Sequence, residues 1–166
     1  MKLHTIPNAV EYVEPADVQW EMKDARYHPL SSDPAHAHYK ESYESLEHTK
    51  HLRLYDNLPV YIKDYCDEKF EQYNCSILKQ NPGWFLPQHL DQYYFFIEKY
   101  GHADNVVRFN IFLQSRKPGH FLEQDGVNVL DWSAGQYLIM DQTNWHCSSN
   151  AGILPKYTAQ ITGILN

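Results

Sequence analysis

Asn105-Val106-Val107-Arg108-Phe109-Asn110-Ile111-Phe112-Leu113-Gln114 is the most strand-like stretch of this 166-residue chain. Its density of Val, Ile and Phe suits a pleated, half-buried surface. Working outward, turn chemistry recurs on both sides. Lys117-Pro118-Gly119, Asp125-Gly126 and Ser133-Ala134-Gly135 follow it, and Asn81-Pro82-Gly83 precedes it. Between those turns the sequence predicts strands over 73–80, 84–88, 136–140 and 157–165. Short strands at regular spacing, parted by Gly or Pro turns, indicate a mainly β fold of the jelly-roll or cupin kind.

One helix is expected. Leu58, Ile62, Tyr65, Cys66 and Phe70 fall at spacings of three or four, which gives residues 57–70 an apolar face. Asp56 or Asn57 is placed to cap it, with Pro59 in the first turn. Residues 1–55 show no sustained periodicity and read as an arm that packs tyrosines on the rest. Within the arm, the pair His36 and His38 reads as part of a solvated loop. The length suits a single domain over 1–166, with arm and helix in 1–70 and the jelly-roll core in 71–166.

The charge balance excludes some partners. A net charge of −7 without a basic run gives no surface that would neutralise phosphates, so neither nucleic acid nor an anionic membrane is expected as partner. Three cysteines, Cys66, Cys75 and Cys147, are too few for a disulfide framework. The start lacks a signal-peptide core and no apolar run has spanning length. These features together predict a cytoplasmic protein. The sequence carries no signal for an oligomeric state.

The chemistry concentrates in Pro82-Gly83-Trp84-Phe85-Leu86-Pro87-Gln88-His89-Leu90-Asp91. On an extended segment His89 and Asp91 point to the same side. A histidine from a distant strand end would complete a 2-His-1-carboxylate set, which leaves positions of an octahedral Fe(II) open. With 10 His and 21 acidic residues, roughly one H-x-[DE] arises by chance; the chain has two, and only context separates His89/Asp91 from His102/Asp104. His89 ends an apolar strand, whereas His102 follows Tyr100-Gly101 in a solvated turn. For the third ligand, His146 follows the apolar 137–140, and His120 competes from beside a turn. Lys156, Thr158 and Gln160 share a strand face. A cation facing the interior needs an anion there, unless its stem carries it out to solvent.

These elements resemble the Fe(II)- and 2-oxoglutarate-dependent oxygenases, in particular the prolyl-hydroxylase-like and aspartyl/asparaginyl-hydroxylase-like branches. The similarity covers residues 75–163 and rests on order and spacing: 82–91; Arg108-Phe109-Asn110-Ile111-Phe112-Leu113; Trp132-Ser133-Ala134-Gly135; 137–141; His146; Asn150-Ala151-Gly152; and Lys156 where most members carry arginine. The resemblance implies that His89, Asp91 and His146 bind Fe(II) and that Lys156 pairs with the distal carboxylate of 2-oxoglutarate. It further implies that Thr158 adds a hydrogen bond to that carboxylate, and that Arg108, with Lys79 or Asn110, contacts co-substrate or substrate. Trp84, Tyr93, Tyr94 and Trp145 are candidates for the pocket wall. The expected reaction consumes O2 and hydroxylates an unactivated C–H bond of a prolyl, asparaginyl or aspartyl side chain, in a peptide, a protein or a related small molecule, with decarboxylation of 2-oxoglutarate to succinate. Two other readings stay open: a metal-binding cupin of another reaction class, and a non-catalytic jelly-roll binding module.

Overall fold

A computed structural model describes residues 1–24, 50–55, 57–101 and 105–166. Its larger sheet has seven strands, in spatial order β1 (His4–Thr5), β9 (Gln136–Met140), β6 (Val106–Phe112), β11 (Lys156–Leu165), β4 (Phe70–Gln80), β3 (Lys50–Tyr55) and β2 (Glu21–Asp24). The smaller sheet orders β5 (Phe85–His89), β10 (His146–Asn150), β7 (His120–Gln124) and β8 (Val127–Asn128). Every pairing in both sheets is antiparallel. The described residues add two helices, α1 (Val60–Lys69) and α2 (Tyr94–Tyr100), and the chain is a mainly β double-stranded β-helix, as its turn spacing predicts.

β11 sets the order of the larger sheet. It pairs with β4 along one edge and β6 along the other, so its alternation is imposed on both neighbours. On one face Ala159 and Ile161 align with Ile77, Ile111 and Phe109, and Tyr137 of β9 extends the row. This outer face joins Ile62 and Cys66 of α1 in the main hydrophobic core. The inner face carries Lys156, Thr158, Gln160 and Thr162 opposite Gln80, Leu78, Phe112, Asn110 and Arg108. Phe112, Leu138 and Met140 close one end of that interior against Leu122, Val129 and Trp132. Apart from Leu78 and Leu86, the side chains around the rest of the interior are mostly polar.

Helix α1 starts at Val60, with the Pro59 carbonyl accepting the amides of Ile62 and Lys63. It has no side-chain cap, and Asp56 lies outside the described residues. The described parts of the arm contribute strands that its composition does not suggest. β1 extends the sheet beside β9, while β2 and β3 extend it beyond β4. Between β1 and β2, Glu14 straps the arm to the outer face: it accepts from Lys79 Nζ at 2.6 and 2.8 Å, from Trp20 Nε1 at 2.6 Å and from the Tyr157 hydroxyl. His36 and His38 lie outside the described residues. Among those described, no helix is long and apolar enough to cross a membrane.

Candidate metal centre

His89 closes β5 and His146 opens β10, and the two are register partners across the smaller sheet. Their ring centroids stand 4.2 Å apart. Asp91, two residues past β5, turns its carboxylate into the same space. His146 Nε2 lies 3.5 Å from Asp91 Oδ2, and His89 Nε2 lies 3.9 Å from Asp91 Oδ1. One ligand atom from each of the three falls within 4.8 Å of the others, and among the described residues this is the one group of three able to hold a metal ion.

Both imidazoles are prepared for that task by the backbone. His89 Nδ1 lies 2.7 Å from the Pro87 carbonyl and His146 Nδ1 lies 3.0 Å from the Asn144 carbonyl. Only an N–H can donate to a carbonyl, so each Nδ1 carries the proton and each Nε2 presents a lone pair. His146 Nε2 is buried with no hydrogen-bond partner. Burial pushes His89 down to about 4, helped by the neighbouring His146 and opposed by Asp91. Burial alone would raise Asp91; Arg108, followed by His146 and His89, outweighs it and holds the carboxyl down at about 2. Two buried lone pairs and an ionised carboxylate facing one point are a donor set that fits a divalent cation.

Beside this centre lies a pocket lined by Leu78, Leu86 and Leu122 together with Gln80, Asn110, Ser148, Lys156, Thr158 and both histidines. Lys156 is 2 % exposed. Its ammonium donates to the Phe121 carbonyl at 2.5 Å and stands 5.9 Å over the Trp132 ring. No carboxylate among the described residues faces it, and burial pushes it down to about 7. The choice between an interior and a solvent-reaching lysine is thereby made: the cation points inward.

Arg108 departs from its expected place. Rather than lining the pocket, its guanidinium reaches Asp91 Oδ2 at 2.5 Å, its Nε donates to Thr162 Oγ1 at 2.9 Å, and it stacks 5.3 Å over the Tyr93 ring. Arg108 and Asp91 are drawn together because each is nearly buried and neutralises the other. Lys79 faces outward to Glu14, whereas Asn110 does line the pocket. His120 opens β7 with Nε2 on the Leu154 carbonyl at 3.1 Å, and it does not join the group. Of the four aromatic wall candidates none lines this pocket; Tyr93 is core, with its hydroxyl on the Met140 carbonyl. His102 and Asp104 lie outside the described residues.

No family model and no curated protein matches the sequence. Solved structures with a related frame include a predicted oxalate decarboxylase from Thermotoga maritima, 14 % identical over 70 % of this chain and 82 % of that one, with a TM-score of 0.43. KdgF from a Halomonas species is 11 % identical over 68 % and 78 %, at 0.42. A prolyl-4-hydroxylase from Pseudomonas putida is 15 % identical over 87 % and 92 %, at 0.48.

Two supports of the centre, Asn144 and Asn150, carry no assigned role in the sequence reading, although Asn150-Ala151-Gly152 is part of the quoted pattern. Asn144 fixes the turn before His146: its Oδ1 accepts the Asp141 amide at 2.8 Å and its Nδ2 donates to Asp125 Oδ2 at 2.9 Å, while Asp125 Oδ1 accepts the Trp145 amide at 2.9 Å. The Asp141-x-x-Asn144 spacing is a turn signal that could have pointed to it. Asn150 ends β10 and ties three segments together. Its Nδ2 donates to the carbonyls of Gln80 at 2.9 Å and Leu154 at 2.8 Å, and its Oδ1 accepts the Gly152 amide at 3.0 Å. A Cβ on Gly119 would stand 2.2 Å from the Gly152 nitrogen, so two turns cross there at backbone distance.

Proposed function

We propose that the protein is an Fe(II)- and 2-oxoglutarate-dependent oxygenase that hydroxylates an unactivated C–H bond. The observation that carries this reading is the pairing of two features in one pocket: three inward-facing ligand groups, His89, Asp91 and His146, and a buried lysine, Lys156, with no carboxylate of its own. A metal site alone suits many cupins. A metal site beside an unmatched buried cation suits a co-substrate that chelates with one end and carries an anion at the other.

In this reading His89, Asp91 and His146 would hold the metal. Fe(II) bound there with 2-oxoglutarate and O2 supplies oxidative decarboxylation to succinate and CO2 together with hydroxylation of the substrate. The Pro87 and Asn144 carbonyls fix the imidazole tautomers, and Arg108 keeps Asp91 ionised. Lys156 takes the distal carboxylate, with the Thr158 hydroxyl beside it on the same face of β11. Leu78, Leu86 and Leu122 exclude water from the pocket. A prolyl, asparaginyl or aspartyl side chain as substrate, in a peptide, a protein or a free amino acid, follows from the sequence resemblance.

Anaerobic titration with Fe(II) and then 2-oxoglutarate tests the reading. The expected outcome is a visible charge-transfer band of the chelate that is absent in His89→Ala and His146→Ala and weakened in Lys156→Ala. Fe(II) binding with no such band, and with metal-dependent activity untouched by Lys156→Ala, would point instead to another cupin chemistry. Failure to bind Fe(II) at all would leave a binding module.

A further inference from the structure

Lysine is a point charge, and unlike arginine it offers a carboxylate no second donor in a fixed plane. Lys156 has already given one N–H to the Phe121 carbonyl. Directly across the antiparallel ladder from Lys156 stands Gln80, the last residue of β4. Partners in that position lie on the same face with Cβ atoms about 5 Å apart. Gln80 is 4 % exposed and lines the same pocket.

The Gln80 carboxamide is half satisfied. Ser148 Oγ donates to its Oε1 at 3.2 Å, and Asn150 Nδ2 takes its backbone carbonyl at 2.9 Å. Its Nε2 is buried and without a partner. An unmet buried donor costs about 1–3 kcal/mol, and natural interiors hold few of them. The amide N–H and the ammonium beside it are both donors, so only an acceptor satisfies the pair. A carboxylate brings two oxygens and no hydrogen; a carboxamide or an alcohol would bring a donor as well.

Resting on the proposed co-substrate, we infer that Gln80 is a specificity residue: together with Lys156 it grips the distal carboxylate of a 2-oxo dicarboxylate and supplies the second donor that lysine lacks. Thr158 borders the same group from β11, and Ser148, by holding Oε1, keeps Nε2 turned to the ligand. The pocket selects for an ionised terminus and against 2-oxo acids that end in a methyl group.

Calorimetry on the Mn(II)-loaded protein without turnover tests this, with 2-oxoglutarate and 2-oxopentanoate as probes. The second keeps the chelating end and the five-carbon chain but lacks the distal carboxylate. Gln80→Leu is expected to weaken 2-oxoglutarate about tenfold, which corresponds to about 1.4 kcal/mol, and to leave 2-oxopentanoate within about twofold of the parent. Gln80→Glu, which sets a second carboxylate against the first, is expected to weaken it further. Gln80→Met replaces the leucine variant if circular dichroism shows that variant unfolded. Parent-like 2-oxoglutarate binding in Gln80→Leu, alongside its loss in Lys156→Met, would overturn the role of Gln80 and keep the co-substrate. No 2-oxoglutarate binding by the parent would overturn both.

Discussion

At the scale of single residues, the Arg108–Asp91 pair sets what the centre can hold. Arg108 draws the Asp91 carboxylate at 2.5 Å while Thr162 and Tyr93 hold the guanidinium in place. Groups that orient metal ligands typically account for about 10- to 100-fold in metal affinity. Arg108→Met is therefore expected to weaken Mn(II) or Fe(II) binding by roughly that factor while 2-oxoglutarate saturation of the loaded protein changes little; equilibrium dialysis measures the first and calorimetry the second. Lys156 makes a prediction about pH. Its folded value, about 7, lies below the 10.5 of an ordinary lysine, with His120 and Cys147 as its titratable neighbours. Between those two values the unfolded chain binds more protons than the folded one, so the ligand-free protein gains stability as pH rises through that window. Lys156→Met should flatten the rise in denaturant midpoints. Under the proposed function, co-substrate binding would have the opposite sign: it would need the ammonium, so above about pH 7 it should take up a proton, visible as a dependence of binding heat on buffer ionisation.

At the scale of elements, legibility follows how much each segment depends on its own side chains. β4, β6, β9 and β11 are dense in apolar or branched residues and fall close to the ranges expected from sequence. β10 reads His-Cys-Ser-Ser-Asn and carries almost no intrinsic preference; it is a strand because β5 and β7 hydrogen-bond to it from both sides. α2 is seven residues of Tyr, Phe, Ile, Glu and Lys between residues with positive φ, Tyr93 at 51° and Gly101 at 80°, too short for a helical period to show. It fills the link after Asp91 and buries Phe96 against Tyr93 and Val106. The His89/Asp91 pair of the candidate group stood out in the sequence because H-x-D on an extended segment is a local pattern. The ion pair with Arg108 did not, since Asp91 follows β5 of the smaller sheet and Arg108 lies on β6 of the larger, and only the packing of the two sheets brings them together. Asn150 belongs to this scale too. Asn150→Ala strips donors from two carbonyls, Gln80 and Leu154, at the corner where β4, β10 and β11 meet. A loss of about 2 kcal/mol or more is expected in urea unfolding, with weaker 2-oxoglutarate binding because both Gln80 and Lys156 are anchored there.

For the whole molecule, the outer face of the larger sheet holds the fold and the inner face holds the site. The outer face is apolar and closed by α1 and the Glu14 strap. The space between the inner face and the smaller sheet accepts polar groups that a core would reject: the three candidate ligands, the buried Lys156 and the unmet Gln80 amide. A bound ion offsets part of that cost. Mn(II) at a hundredfold excess over its dissociation constant should stabilise the parent by about 2.7 kcal/mol and leave His146→Ala unmoved; paired thermal melts with and without metal measure it.

Because β11 is zipped along both edges, its ladder behaves as a reading frame. Losing one residue from the strand would send every side chain beyond the deletion to the opposite face, isoleucine-rich core meeting charge and pocket meeting methyl groups. Insertions before Pro155 leave that frame untouched. Over evolutionary time, length changes in this part of the gene should therefore avoid the ten residues of β11, and the turn before it as well, where Asn150 holds Gly152 and Leu154.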